Sequence, residues 1–265
     1  MDLHVAGKTY VIVGGTRDVG FEAARTLAAD GAGVVLIGRS SHGARRAADE
    51  IHEEFGATAL GLGADASMPG EVEDAVQRAA SRFGRIDGLL TTVGPIGRNV
   101  SIAASTDDDF EISHQQIYMS AVRSCRAVIP HLVANGGGAI VTTSAYSIRS
   151  PKPTHAGYGA MKSAVATFTK NLAKTHGPDG IRANCVCPGA LRAGVVRAAI
   201  EHRAAEQCIS TQAAELQLLA EWSMTVALGR LGEAAEIGAV MAFLLSPRSA
   251  YLTGALINID GGTDF

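Results

Sequence analysis

Thr9-Tyr10-Val11-Ile12-Val13-Gly14-Gly15-Thr16-Arg17-Asp18-Val19-Gly20 reads as a strand, a tight turn and the start of a helix. The β-branched and aromatic run suits a pleated, buried surface, and the glycines end it. Helical periodicity of apolar residues follows over residues 19–29. Working outward, the same unit recurs. Strand signatures fall at residues 32–37, 58–62, 86–93, 139–143, 181–186 and 256–259, and helical ones at residues 43–55, 71–83, 108–134, 155–176 and 234–245. Strands apolar on both faces and joined by helices predict an α/β fold, a doubly wound parallel sheet of about seven strands covered by helices on both sides. No Pro/Ser-rich linker or composition shift interrupts the chain, so residues 1–265 are expected to form one domain. Residues 190–226 break the alternation with two helical patterns, 195–208 and 213–224, after a strand's C-terminal end. A lid over a ligand crevice belongs at that place.

Composition narrows the partners. The 265 residues are 47% hydrophobic and 18% charged with a net charge of -3, so no basic excess points to nucleic acid or an anionic membrane, and a small-molecule ligand is expected. There is no uninterrupted apolar run of roughly 18 residues. The start, Met1-Asp2-Leu3-His4, has neither the basic beginning nor the apolar core of a signal peptide, so the expectation is a cytoplasmic protein. Cys125, Cys185, Cys187 and Cys208 lack zinc-ligand or redox spacing and read as reduced thiols.

Two stretches carry chemistry. The glycine turn permits close approach of backbone to a pyrophosphate resting on the positive end of a helix. The second strand ends Ile37-Gly38-Arg39-Ser40, without the acidic residue that would bind an NAD ribose 2′-hydroxyl; Arg39, and Arg17 in the turn, suit a 2′-phosphate instead. The expected cofactor is NADP(H). Tyr158 and Lys162 lie at i and i+4 near a helix start, with Cβ atoms roughly 5–6 Å apart on one face. A nearby ammonium favours phenolate, so Lys162 is expected to lower the Tyr158 pKa and equip it as an acid and base toward an alcohol or carbonyl.

In this order and spacing the residues resemble the short-chain dehydrogenase/reductase family over nearly the whole chain, most of all the branch containing 3-oxoacyl-carrier-protein reductases. The carrying features are the glycine turn, Asp65, Thr91-Thr92-Val93-Gly94, Ser144, Tyr158 with Lys162, Asn184 to Gly189, Gly229 to Glu233, and the ending from Thr253 to Thr263. The resemblance implies a Rossmann-type sheet and a hydride transfer between NADP(H) and a carbonyl or secondary alcohol. It implies that Gly14, Thr16, Arg17, Asp18, Val19 and Gly20 form the phosphate turn, with Arg39 and Ser40 beside the 2′-phosphate. Asp65 and Ala66 would flank the adenine, and Val93 and Gly94 its ribose. Lys162 would hold the nicotinamide ribose and tune Tyr158, and Pro188, Gly189 and Leu191 would line the nicotinamide. Ser144 would bond the substrate oxygen. A homotetramer or homodimer is also implied, in keeping with helices 108–134 and 155–176, which are apolar around much of their circumference.

Several positions depart from the family pattern. Asp18 stands where a glycine is usual; its carboxylate would repel a phosphate unless it turns outward or caps the helix, and capping is the expectation. Thr91 to Gly94 replace Asn-Asn-Ala-Gly, with hydroxyls still able to bond. The relay asparagine falls on Ile117, for which Gln115 and Gln116 are no assured substitutes. Direct alignment puts the usual serine at Ala145; Ser144 is assigned through a one-residue insertion, with Ser147 a more distant option. A frequent threonine contact falls on Ala193. The pocket is expected to be walled by Ile96, Arg98, residues 146–149, His155, Leu191, Arg192 and Trp222. These departures keep open a second reading, an NADP(H)-binding protein with little turnover acting in regulation or assembly.

Overall fold

The computed structural model describes residues 1–263. Seven parallel strands, β1 (Thr9–Val13), β2 (Gly33–Gly38), β3 (Ala59–Gly63), β4 (Gly88–Thr91), β5 (Gly138–Thr143), β6 (Ile181–Pro188) and β7 (Leu256–Ile259), form one sheet in the order β3-β2-β1-β4-β5-β6-β7. The order reverses direction between β1 and β4, which opens a crevice at their C-terminal ends, where open α/β sheets bind ligands.

Period-two alternation builds both cores. Tyr10 and Ile12 of β1 and Val34 and Leu36 of β2 pack against α1 (Asp18–Ala29), α2 (Ser41–Phe55) and α9 (Ala234–Leu245). Val11, Val13, Val35 and Ile37 point the other way, toward α3 (Glu71–Phe83), α5 (Ser120–Ala134) and α6 (Ala156–His176). Both faces are buried, which is why these strands read as continuous apolar runs.

The segment expected as one helix over 108–134 has three parts. α4 (Asp107–Ser113) begins in a capping box in which Thr106 and Asp109 satisfy each other's backbone N–H, a π-helical turn runs over His114–Met119, and α5 follows. In the wide turn the Ser120 hydroxyl donates to the Gln115 carbonyl at 3.0 Å, occupying an acceptor that the altered ladder exposes. Periodicity cannot register one extra residue in a helix. The fourth strand is shorter than expected at both ends, running over Gly88–Thr91.

In residues 190–226, the segment expected as a lid, α7 (Gly194–Gln207) and α8 (Thr211–Glu221) enclose a small core of Ile200, Ala204, Ala214, Leu218, Leu219 and Leu231. Among the described residues no helix is long and apolar enough to cross a membrane.

Helix α2 lies against β3 so closely that a Cβ on Gly61 would stand 2.1 Å from the Ala44 carbonyl oxygen. Backbone is on the other side, so relief requires moving the helix. Gly61→Ala is expected to lower stability by about 3 kcal/mol or more in urea denaturation, whereas Gly43→Ala, an ordinary helix position with contacts no closer than 3.5 Å, is neutral or stabilising.

Candidate active site

The glycine turn owes its shape to contacts that leave no room for side chains. A Cβ on Gly14 would meet Thr92 Oγ1 at 2.5 Å, and one on Gly20 would meet the Gly14 carbonyl oxygen at 2.4 Å. Thr92 Oγ1 donates to that same Gly14 oxygen at 3.0 Å, and the Thr92 amide donates to Val13 O at 2.9 Å. This hydroxyl buttress between β4 and the turn is the kind of bond expected of the threonines in Thr91 to Gly94, and the structure gives its partner. Helix α1 then opens with Arg17 as an extended N-cap making no side-chain capping bond. The first N–H groups of α1 are thereby left to an anion, which the positive helix end favours.

Asp18 does not cap α1. It is the first helical residue, at φ +50°, in the left-handed region that a glycine adopts freely. Its carboxylate turns outward, with Oδ2 3.7 Å from Arg17 Nε and 3.8 Å from where a Cβ on Gly194, the first residue of α7, would stand. The expected capping fails because the backbone angle places the side chain off the end of the helix, toward the lid.

The residues expected beside the adenosine half lie at the ends of β2 and β3. Arg39 is exposed, and the Ser40 hydroxyl caps α2 by accepting from the Gly43 amide at 3.1 Å. Asp65 Oδ1 accepts from both the amide (2.9 Å) and the hydroxyl (2.7 Å) of Ser67, which fixes the loop after β3; Ala66 is buried beside it. Gly94, at φ +114°, lies against Ile117, whose Cγ1 would be 2.8 Å from a Cβ there. Ile117 is buried among Ala121, Val165, Tyr118, Tyr158 and Met161, an apolar contact. Gln115 is committed elsewhere, donating to Glu111 and accepting from Arg123, both at 2.8 Å.

At the centre, Lys162 is buried and donates from Nζ to the carbonyls of Thr143 (3.0 Å) and Val93 (3.2 Å). Its ammonium lies 5.6 Å from the Tyr158 ring centroid, over the face, so the i and i+4 pairing holds. The expected lowering of the phenol does not. Burial pushes Tyr158 well above the ordinary tyrosine value, and the neighbouring Tyr146 and Cys187 push it further. Desolvation outweighs an ammonium that sits over the ring rather than beside the hydroxyl. Burial also pulls Lys162 down to about 8, against a smaller opposing pull from Cys185 and Cys187.

Ser144 is buried at the end of β5, and its hydroxyl donates to the Lys162 carbonyl at 2.8 Å, tying the strand to α6. Ala145 presents a methyl, and the Ser147 hydroxyl is fully enclosed without a partner. Cys187, two residues beyond Cys185 on the same face of β6, lies near Tyr158; only the period of that strand hinted at it. Past the end of β6, Gly189 has no room for a Cβ, which would stand 2.7 Å from the Asp260 Cα, and Leu191 forms a bridge with Gly232. Ala193 is the N-cap of α7 and offers backbone alone.

The expected pocket walls assemble only in part. His155 packs edge-on to Tyr158, 6.4 Å between centroids, and burial and Lys152 lower its pKa, which keeps it neutral. Arg98, Arg149 and Arg192 are ion-paired with Asp109, Asp260 and Glu215, so their charges are largely answered within the chain. Trp222 belongs to the lid core, and its carbonyl accepts from Lys152 Nζ at 3.0 Å.

The glycine turn, the buried lysine and the tyrosine beneath its ammonium thus lie at one end of the sheet. A family profile described as enoyl-(acyl carrier protein) reductase matches residues 14–264. The chain belongs to the short-chain dehydrogenase/reductase family. Within it, the oxidoreductase UcpA of Escherichia coli O157:H7 is 33% identical over 98% of this chain and 95% of its own. The 3-oxoacyl-[acyl-carrier-protein] reductase FabG of Escherichia coli K12 is 29% identical over 98% of each. The structure of L-sorbose reductase from Gluconobacter frateurii, complexed with NADPH and L-sorbose, superposes with a TM-score of 0.91 at 28% identity, covering 99% of this chain and 98% of that one. Membership makes the protein an oxidoreductase of this family with its single-domain, seven-stranded fold.

Two outcomes follow from the geometry. Asp18→Ala keeps a Cβ in the left-handed region and loses the outward carboxylate, so it is expected to be less stable than Asp18→Gly by about 1 kcal/mol in urea denaturation. The folded-state pKa of Lys162, about 8, lies below its ordinary 10.5. The unfolded chain therefore binds more protons between these values, and Lys162 contributes stability that grows as pH rises through that window. The difference in denaturation midpoint between wild type and Lys162→Met is expected to shift toward wild type from pH 8 to 10.5.

Proposed function

We propose that the protein is an NADP(H)-dependent ketoreductase-type enzyme that interconverts a carbonyl compound and its secondary alcohol. The observation that carries this reading is the buried Lys162 ammonium, held by the Val93 and Thr143 carbonyls beside the Tyr158 ring, at the strand ends that face the glycine turn.

The crevice fits a dinucleotide. The turn has no room for a Cβ at Gly14 or Gly20, and the N–H groups at the start of α1 lack a side-chain cap. Gly14, Thr16, Arg17, Val19 and Gly20 would cradle the pyrophosphate, with Asp18 at its margin. Arg39 and Ser40 would take the 2′-phosphate, Asp65 and Ala66 the adenine, Val93 and Gly94 its ribose, and Pro188, Gly189 and Leu191 the nicotinamide. Lys162 has three donors and spends two on carbonyls, leaving one for a ribose hydroxyl. The NADPH complex of L-sorbose reductase supports the choice of cofactor.

When bound, the nicotinamide supplies or takes up the hydride. Tyr158, kept neutral by burial, is in the form that protonates the oxygen of a carbonyl undergoing reduction. Lys162 stabilises the phenolate left behind, and Ser144 assists from behind by tying β5 to the turn of α6 that carries Lys162. The exposed apolar residues Tyr251, Leu252 and Leu256 near the edge of β7 favour a homodimer or homotetramer.

Purified protein is expected to oxidise NADPH, faster than NADH, with at least one of L-sorbose, 9,10-phenanthrenequinone and an acetoacetyl thioester. Tyr158→Phe should abolish turnover and leave NADPH binding intact, and Arg39→Asp should raise the Kd for NADPH about tenfold, the loss of a charge-assisted phosphate contact and its replacement by repulsion. Tight NADPH binding without oxidation across all three would favour the binding-protein reading.

A further inference from the structure

An oxygen that gains negative charge as its carbon is reduced is best stabilised by more than one preorganised donor. Tyr158 supplies one. Of the other hydroxyls around the end of β5, Ser144 has its proton committed to the Lys162 carbonyl at 2.8 Å, and Ser147 is fully enclosed, out of reach of anything in the crevice. Ala145 has none to give.

Tyr146 differs from all three. It is half-buried in the short 3-10 turn Tyr146–Ile148 that leads from β5, so part of it faces open space. Its hydroxyl contacts Met224 Sδ, at 3.8 Å, on the segment that closes the lid. A thioether is a weak acceptor, and a tyrosine hydroxyl drawn into a protein ordinarily finds a better one. The phenol therefore carries a proton that little else holds, and its turn lies against the start of α6, with the Ser147 carbonyl oxygen 3.9 Å from where a Cβ on Gly159, the neighbour of Tyr158, would stand. Burial raises Tyr146, which keeps that proton in place at neutral pH, and its closeness to Tyr158 is felt as a further upward push there.

We propose that Tyr146 is a second catalytic hydroxyl, leaving Met224 to donate a hydrogen bond to the same substrate oxygen that Tyr158 protonates. The inference rests on the reductase reading above. On reduction the Tyr158 O–H bond breaks and a substrate O–H bond forms, the substrate carbon accepting the hydride that the reduced cofactor supplies. Tyr158 is then reprotonated from solvent. Tyr146 keeps its proton throughout.

The test uses the full chain with NADPH and the same three carbonyl probes, comparing wild type with Tyr146→Phe, Ser147→Ala, Met224→Leu and Tyr158→Phe. Tyr146→Phe is expected to lower kcat about 100-fold, the usual loss on removing one such donor, with the NADPH Kd by fluorescence quenching and the thermal midpoint at wild-type values. Met224→Leu, which removes only the weak acceptor, should keep kcat near wild type. Wild-type kcat in Tyr146→Phe beside an inactive Tyr158→Phe overturns the inference while the reductase reading stands. A loss confined to Ser147→Ala also overturns it and hands the role to that serine. If wild type binds NADPH and turns over none of the probes, the reductase reading itself fails and the inference falls with it.

Discussion

An ammonium withdrawn from water is costly unless acceptors replace the water, and Lys162 is buried with two backbone carbonyls in that role. Those carbonyls belong to Val93, just past β4, and Thr143, at the end of β5, so the charge fastens two neighbouring strand ends to α6. The other contacts at the crevice reinforce the same junction. Ser144 ties β5 to the Lys162 carbonyl, Thr92 ties the segment after β4 to the glycine turn, and Gly94 lets Ile117 close over it. Strand order brings these ends together, but the buried charge requires them to stay in register.

The same burial divides the work between the paired residues. Over the ring face, the ammonium contributes a cation–π contact and leaves the phenol protonated. A tyrosine so held is suited to giving a proton. Spacing in sequence specifies that the two side chains share a face; it does not specify whether nitrogen lies beside the oxygen or above the ring.

Much of the architecture was legible from residues alone because a sheet buried on both faces writes itself as short apolar runs between helices. β1, β7, α3 and α9 lie where periodicity puts them. Site features that depend on backbone detail were less legible. Asp18 reads as a capping residue by type, yet its left-handed backbone aims it at α7. The π-helical turn at His114–Met119 looks like ordinary helix in composition. For Ser144 the resemblance implies a substrate contact, and its hydrogen bond to the Lys162 carbonyl, on a helix eighteen residues on, is not written in that pattern. Each of these is a question of direction, which side-chain type does not encode.

The lid has its own apolar core, and one buried carboxylate, Glu215, pins it by accepting from the Leu231 amide and from Arg192 at 2.8 Å each. Its two ends are fastened to the domain, Leu191 bridging Gly232 and Val226 bridging Thr263, and Arg192 and Arg197 pair with Glu233, while over the crevice it meets Lys152 through a carbonyl and Tyr146 through a sulfur. Selection can therefore rewrite the two lid helices almost as a cassette. The sheet that carries the proton chemistry would keep its register while the shape of what it admits drifts, and divergence among close relatives of this chain would collect in that one interval.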